Sequence, residues 1–98
     1  MSKNAFKDLE KIYPKIVGLM PDEFDSHDFF LTLAQQNQQL YVELLSGYRD
    51  KKQPFRSVHK EIAKRLKKRD DLVVHIGDHS SKNIFGLEND VAVWRKVK

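Results

Sequence analysis

The sequence predicts a mainly α-helical fold that ends in a β-hairpin: three to four helices, then two antiparallel strands. Two observations carry this. As far as Leu66 the apolar residues recur at steps of three and four, as amphipathic helices require, and beyond Asp71 they give way to β-branched runs with alternation. Pro21, Gly47 and Pro54 fall between the periodic stretches, where breaks in helical structure are expected.

In the first helix Phe6, Leu9, Tyr13, Ile16, Val17 and Met20 share one side. Pro14 removes a backbone donor there, so the helix is expected to kink or restart at that point, and Gly18 and Pro21 end it. Phe24 follows in a short extended link. Asp25 or Ser26 then caps a second helix, and Asp28 complements its positive end. Phe29, Phe30, Leu33, Asn37, Leu40, Tyr41, Leu44, Leu45 and Tyr48 keep helical spacing, but the Gln35-Gln36-Asn37-Gln38-Gln39 run interrupts their apolar character. Two helices meeting near Asn37 are expected, with one long helix as the alternative.

After a charged turn, Pro54 suits the first position of the next helix, whose apolar residues are Phe55, Val58, Ile62 and Leu66. These lie within about 80° of one another, with Lys64 roughly opposite and Ser57, Lys60, Lys67 and Lys68 on its flanks. Leu72 to Ile76 and Val91 to Val97 read as strands, the second with Ala92 and Trp94 on one side and Val91, Val93 and Val97 on the other. The polar stretch 77–90 reads as a long loop between them, with Ile84-Phe85 folding back onto the body.

Charge is segregated along this frame. Residues 49–69 hold ten Lys or Arg against Asp50 and Glu61, whereas 16–48 hold none and carry Asp22, Glu23, Asp25, Asp28 and Glu43. A helix that buries one side and shows Lys and Arg on the other suits a polyanion. The net charge of +4 is modest, so its position says more than its total. At 98 residues and 40% hydrophobic content the chain is expected to be one domain with a modest core. No apolar run reaches the roughly 18 to 20 residues of a membrane span, and the N-terminus lacks the apolar region of a secretory leader, so a cytoplasmic protein with no membrane partner is expected. Without cysteine there is no disulfide, thiolate metal site or cysteine nucleophile.

Helices followed by a two-stranded hairpin, with the most basic helix directly before it, resemble the winged helix-turn-helix superfamily. Within it, Val58-His59-x-x-Ile62-x-x-x-Leu66, Asn83-Ile84-Phe85-Gly86 and Trp94 are similar to domains of the HARE-HTH type. The resemblance implies that 1–98 form a single winged-helix-like domain and that the helix 54–69 is the recognition helix lying in the major groove of double-stranded DNA. The segment 77–90 becomes the wing. On that footing Arg56 and Lys60 reach guanine edges, Ser57 shares their face, and Lys64, Lys67 and Lys68 meet phosphates. Ser80, Ser81, Lys82 and Asn83 make the wing contacts. The wing departs from that pattern: Lys82 is its single basic residue, and it also holds Asp78, Glu88 and Asp90.

The histidines and aromatics call for local roles. His59, at the edge of the apolar stripe, reads as a packing or capping residue. His75, Asp78 and His79 have zinc-ligand chemistry, but their place at a strand end and loop argues against convergence, and no metal is assigned. His27 reads as part of a solvated first turn. Trp94, Tyr41, Tyr48 and the phenylalanines other than Phe24 and Phe85 fall on apolar faces and read as core, so single-strand recognition by exposed aromatics is not indicated. No G-x-S-x-G, phosphate-cradling glycine loop, H-E-x-x-H or recognisable carboxylate pair is present, so neither an enzyme nor a cofactor is expected. The expected function is a non-catalytic DNA-binding module, active as a monomer. The alternatives are a protein–protein interaction adaptor on the same fold and a binder of duplex RNA.

Overall fold

A computed structural model describes residues 2–97 of the chain. In order they form α1 (Ser2–Leu19), β1 (Glu23–Asp25), α2 (Ser26–Gln36), α3 (Gln38–Ser46), α4 (Pro54–Lys67), β2 (Val73–Lys82) and β3 (Glu88–Lys96). The three strands make one antiparallel sheet in the order β1-β3-β2. This is a mostly helical α/β fold with a winged-helix-like layout.

The first helix continues through Pro14 instead of restarting there. A helical proline leaves the carbonyl four residues earlier without its backbone donor. Here Arg69 Nη1 donates to Glu10 O at 3.1 Å and takes the missing donor's place. The two helices expected around Asn37 are separate: Asn37, at φ −139° and ψ 61°, lies outside helical geometry and divides α2 from α3.

The stretch around Phe24 is a strand, not a link. Glu23, Phe24 and Asp25 pair with Arg95, Trp94 and Val93, which adds a third strand to the hairpin and buries Phe24 in the core. Three residues of varied character carry no alternation long enough to reveal a strand, and their pairing depends on a partner some seventy positions away in the chain. Asp25 ends β1 and starts α2. Its Oδ1 accepts from Asp28 N at 2.9 Å while Asp28 Oδ2 accepts from Asp25 N at 3.2 Å, a reciprocal cap of the helix start.

The hairpin loop is also shorter than its composition predicts. β2 and β3 are paired as far as Lys82 and Glu88, so only 83–87 remain as the turn. The distal strands escape sequence detection because both faces there are mostly polar, and they are held by backbone pairing and by polar side-chain bonds to the body. Asn83 organises the turn: its Oδ1 accepts from Phe85 N at 2.9 Å and Leu87 N at 3.1 Å. Gly86, at φ 82°, occupies a conformation that a side chain would strain. Nearer the body the register shifts between His75 and Gly77, leaving Ile76 as a bulge that twists the hairpin.

Leu9, Tyr13 and Ile16 from α1, Phe29 and Leu33 from α2, Leu44 from α3, and Val58, Ile62 and Leu66 from α4 are fully buried, with Trp94 closing the core from β3. Each such side chain contributes about 1.5–3 kcal/mol through its removal from water. Directional bonds orient the layers. Tyr13 Oη donates to Ile62 O at 2.7 Å, fixing α4 on α1, and Trp94 Nε1 donates to Ser26 Oγ at 2.9 Å, fixing β3 on α2. Among the described residues no helix is long and apolar enough to cross a membrane.

Candidate nucleic-acid interface

The α4 helix starts at Pro54, whose fixed φ and missing N–H suit that position, and ends at Lys67, two residues before the expected end. Lys68 is its C-cap, and Arg69 turns back towards α1. Val58, Ile62 and Leu66 bury one side and leave two flanks, one towards α1 and one towards the hairpin.

The flank towards α1 neutralises its cations. Arg65 Nη1 donates to Glu10 Oε2 at 2.6 Å, its Nε donates to Glu61 Oε2 at 2.9 Å, and its guanidinium carbon lies 4.5 Å from the centre of the Phe6 ring. Arg69 bonds both carboxylate oxygens of Asp71 at 3.1 Å as well as Glu10 O. These two are the only half-buried members of the basic run, and the others are exposed.

Arg56, Lys60, Lys64, Lys67 and Lys68 are exposed, and among the described residues none forms an ion pair with a carboxylate. With Ser57 they span one arc of about 120° opposite the buried side, Arg56, Lys60 and Lys67 in one half of it and Lys64, Ser57 and Lys68 in the other, as the 100° rotation per residue dictates. Arg56 and Lys60 line a cleft of about 690 Å³ between α4 and the hairpin, and Ser57 and Lys64 do not.

The cleft has an aromatic interior. Phe55, expected in the core, is 40% exposed and meets Phe85 of the turn edge to face at 4.8 Å between ring centres. It lies in the first helical turn, and its other ring contact is His59, edge to face at 6.4 Å. His59 forms part of the floor, stacked on Phe30 at 4.5 Å and 22°, with its Nε2 2.7 Å from Tyr41 Oη. Burial pushes the imidazole down to about 4, and His27 adds to the effect, so His59 is uncharged near neutrality. Burial likewise pushes the Tyr41 hydroxyl up to about 12.

The wing residues divide between structure and surface. Lys82 and Ser80 are exposed. The Asn83 oxygen is committed to the turn, and Ser81 Oγ bonds His27 Nδ1 at 2.7 Å. His27 therefore does not lie in a solvated turn. It is 6% exposed, because the curled hairpin covers the start of α2. His79 Nε2 and Asp25 Oδ2 add a second bond at 2.8 Å between hairpin and body. Burial raises the Asp25 carboxyl, but bonds from His79, the Asp28 amide and Ser81 outweigh it and hold the group below its ordinary value. The residues of the His75-x-x-Asp78-His79 string do not converge: His75 Nε2 bonds Asp78 Oδ1 at 3.0 Å, whereas His79 turns to Asp25.

Sequence reasoning placed Arg56 and Lys60 on an exposed basic surface but missed Phe55, His59 and Phe85 as its aromatic neighbours. Helical spacing alone assigns Phe55 to the core, and no local signal shows that a turn thirty positions later comes to lie on it. The chain matches no family model, no curated protein and no solved structure.

Proposed function

We propose that this chain is a non-catalytic, duplex-DNA-binding module of the winged helix-turn-helix superfamily, working in the cytosol, with α4 entering the major groove. The observation that carries the reading is the exposed set Arg56, Lys60, Lys64, Lys67 and Lys68, without carboxylate partners among the described residues and beside a hairpin placed like a wing. Unneutralised Lys and Arg on a rigid helix gain affinity for phosphates by releasing condensed counterions. Arg56 and Lys60 are placed to read base edges, while Lys64, Lys67, Lys68 and Lys82 meet the backbone.

Fluorescence anisotropy of a labelled random-sequence duplex, titrated at about 50 and 200 mM salt, tests this. With four to six phosphate contacts, affinity falls by about two to three decades between the two conditions. Changing Lys60, Lys64 and Lys67 to Glu abolishes binding while circular dichroism stays unchanged. Binding that persists in the folded triple variant refutes the assignment. Preference for duplex RNA as competitor transfers the reading to that polymer. No binding at low salt leaves α4 as a docking surface and puts the protein-interaction adaptor first.

A further inference from the structure

The α4–hairpin cleft has two chemically different walls. Arg56 and Lys60 stand one helical turn apart on α4, both without a carboxylate partner among the described residues. Across the cleft, the side chains of Asn89 and Asp90 on β3 make no hydrogen bond or ion pair among the described residues. Between the walls lie the exposed rings of Phe55 and Phe85, above a floor of Phe30 and His59. The volume of about 690 Å³ falls in the roughly 300–1,000 Å³ range of sites that enclose small organic groups.

We propose that this cleft receives one unpaired nucleobase of a DNA strand bound along α4. The base stacks on the Phe85 ring with the perpendicular Phe55 ring at its side, its exocyclic amino group donates to Asp90, and at such an end Arg56 and Lys60 meet its phosphate in place of the base edges they reach within a duplex. The inference rests on the nucleic-acid reading of α4 and extends it to a duplex end or junction where a base is already unstacked. Charge complementarity orients the ligand. A phosphate is attracted to the α4 wall and repelled by Asp90, while an amino-bearing base edge finds its acceptor on the Asp90 side. An uncharged His59 stacked on Phe30 gives the floor a π surface without adding a competing charge. Two rings of a packed core would have no reason to remain 40% and 55% exposed beside a basic helix. As stacking platforms they require that exposure.

The test compares a blunt duplex with the same duplex carrying a short adenine or thymine overhang, by anisotropy, for the wild type and for Phe85→Ala. Phe85→Leu serves as a second variant that keeps the apolar contact with Phe55 and loses the aromatic face. Stacking of one base predicts that the adenine overhang tightens wild-type binding by about tenfold, that thymine gains less, and that both variants lose the gain while binding the blunt duplex as before. Equal wild-type affinity for blunt and overhung duplexes overturns the inference and leaves the reading of α4 standing. A gain that survives in both variants overturns the location in the cleft, and a gain indifferent to the base overturns the role of Asp90. Absence of binding to every duplex overturns the inference together with the reading on which it rests.

Discussion

Arg65 and Lys60 belong to the same helix and the same run of basic residues, yet they serve opposite ends. On the α1 flank Arg65 is held by Glu10, Glu61 and the Phe6 ring, and Arg69 stands in for the backbone donor that Pro14 lacks. On the hairpin flank Arg56 and Lys60 border an open cleft beside Phe55 and Phe85. The difference lies across from the helix. Where α1 presents Glu10 within bonding distance a cation becomes part of the fold, and where the hairpin presents aromatic and amide groups and an Asp90 that pairs with no described cation it stays exposed. A run of like charges is therefore two populations, one stabilising and one free to bind.

The comparison breaks most visibly on the α1 flank. The double variant Arg65→Ala, Arg69→Ala is expected to lose about 3 kcal/mol, because charge-assisted bonds, a cation–π contact and the acceptor freed by Pro14 all lose their partner. Urea unfolding measures the loss, and the salt slope of DNA binding should not move. An unchanged urea midpoint would place Arg65 and Arg69 with the free cations.

Acid provides the next largest effect, on the floor of the cleft. His59 has a folded value depressed from 6.5 to about 4, so the unfolded chain binds more protons between these values. Its contribution is complete above pH 6.5 and lost as pH falls to about 4, on the order of 2 kcal/mol after allowance for partial exposure. Asp25 acts in the same direction but lower: with its carboxyl held below 3.8, its contribution is present above that value and lost as pH falls through the depressed one. Urea midpoints measured from neutral pH down to about pH 4.5 separate the two. In that range His59→Phe should flatten the slope.

Glu10→Gln sharpens the contrast with a smaller change, about 1 kcal/mol, since it weakens the Arg65 pair while leaving the Glu10 carbonyl with Arg69. Smallest of all is Arg56→Ala with Lys60→Ala, expected to stay within about 0.5 kcal/mol of the wild type in stability, as exposed side chains without partners do. The same double variant should weaken duplex binding by about tenfold or more, one base-edge contact alone being worth about 1–3 kcal/mol. A stability loss matching that of the α1 flank would erase the distinction between the flanks.

The sequence by itself determined the helical phase of Tyr13, Ile62 and Leu66, the break at Asn37, the start of α4 at Pro54 and the presence of a C-terminal hairpin. Each follows from relations between residues a few positions apart: side-chain spacing, a cap or a missing donor. Only the tertiary structure decided that 23–25 would pair as a strand, that the hairpin would be ordered down to a turn at 83–87, that His27 would be covered, and that Phe55 would meet Phe85. It also decided which arginines are committed to the fold. Electrostatic pairing and burial depend on what lies opposite, and here the opposite group is often fifty or more positions distant in the chain, as Glu10 is from Arg65 and Ser81 from His27. Local pattern shows that a residue is basic or apolar and which way its helix turns it, whereas the partner that settles its role is set by the packing of the whole chain.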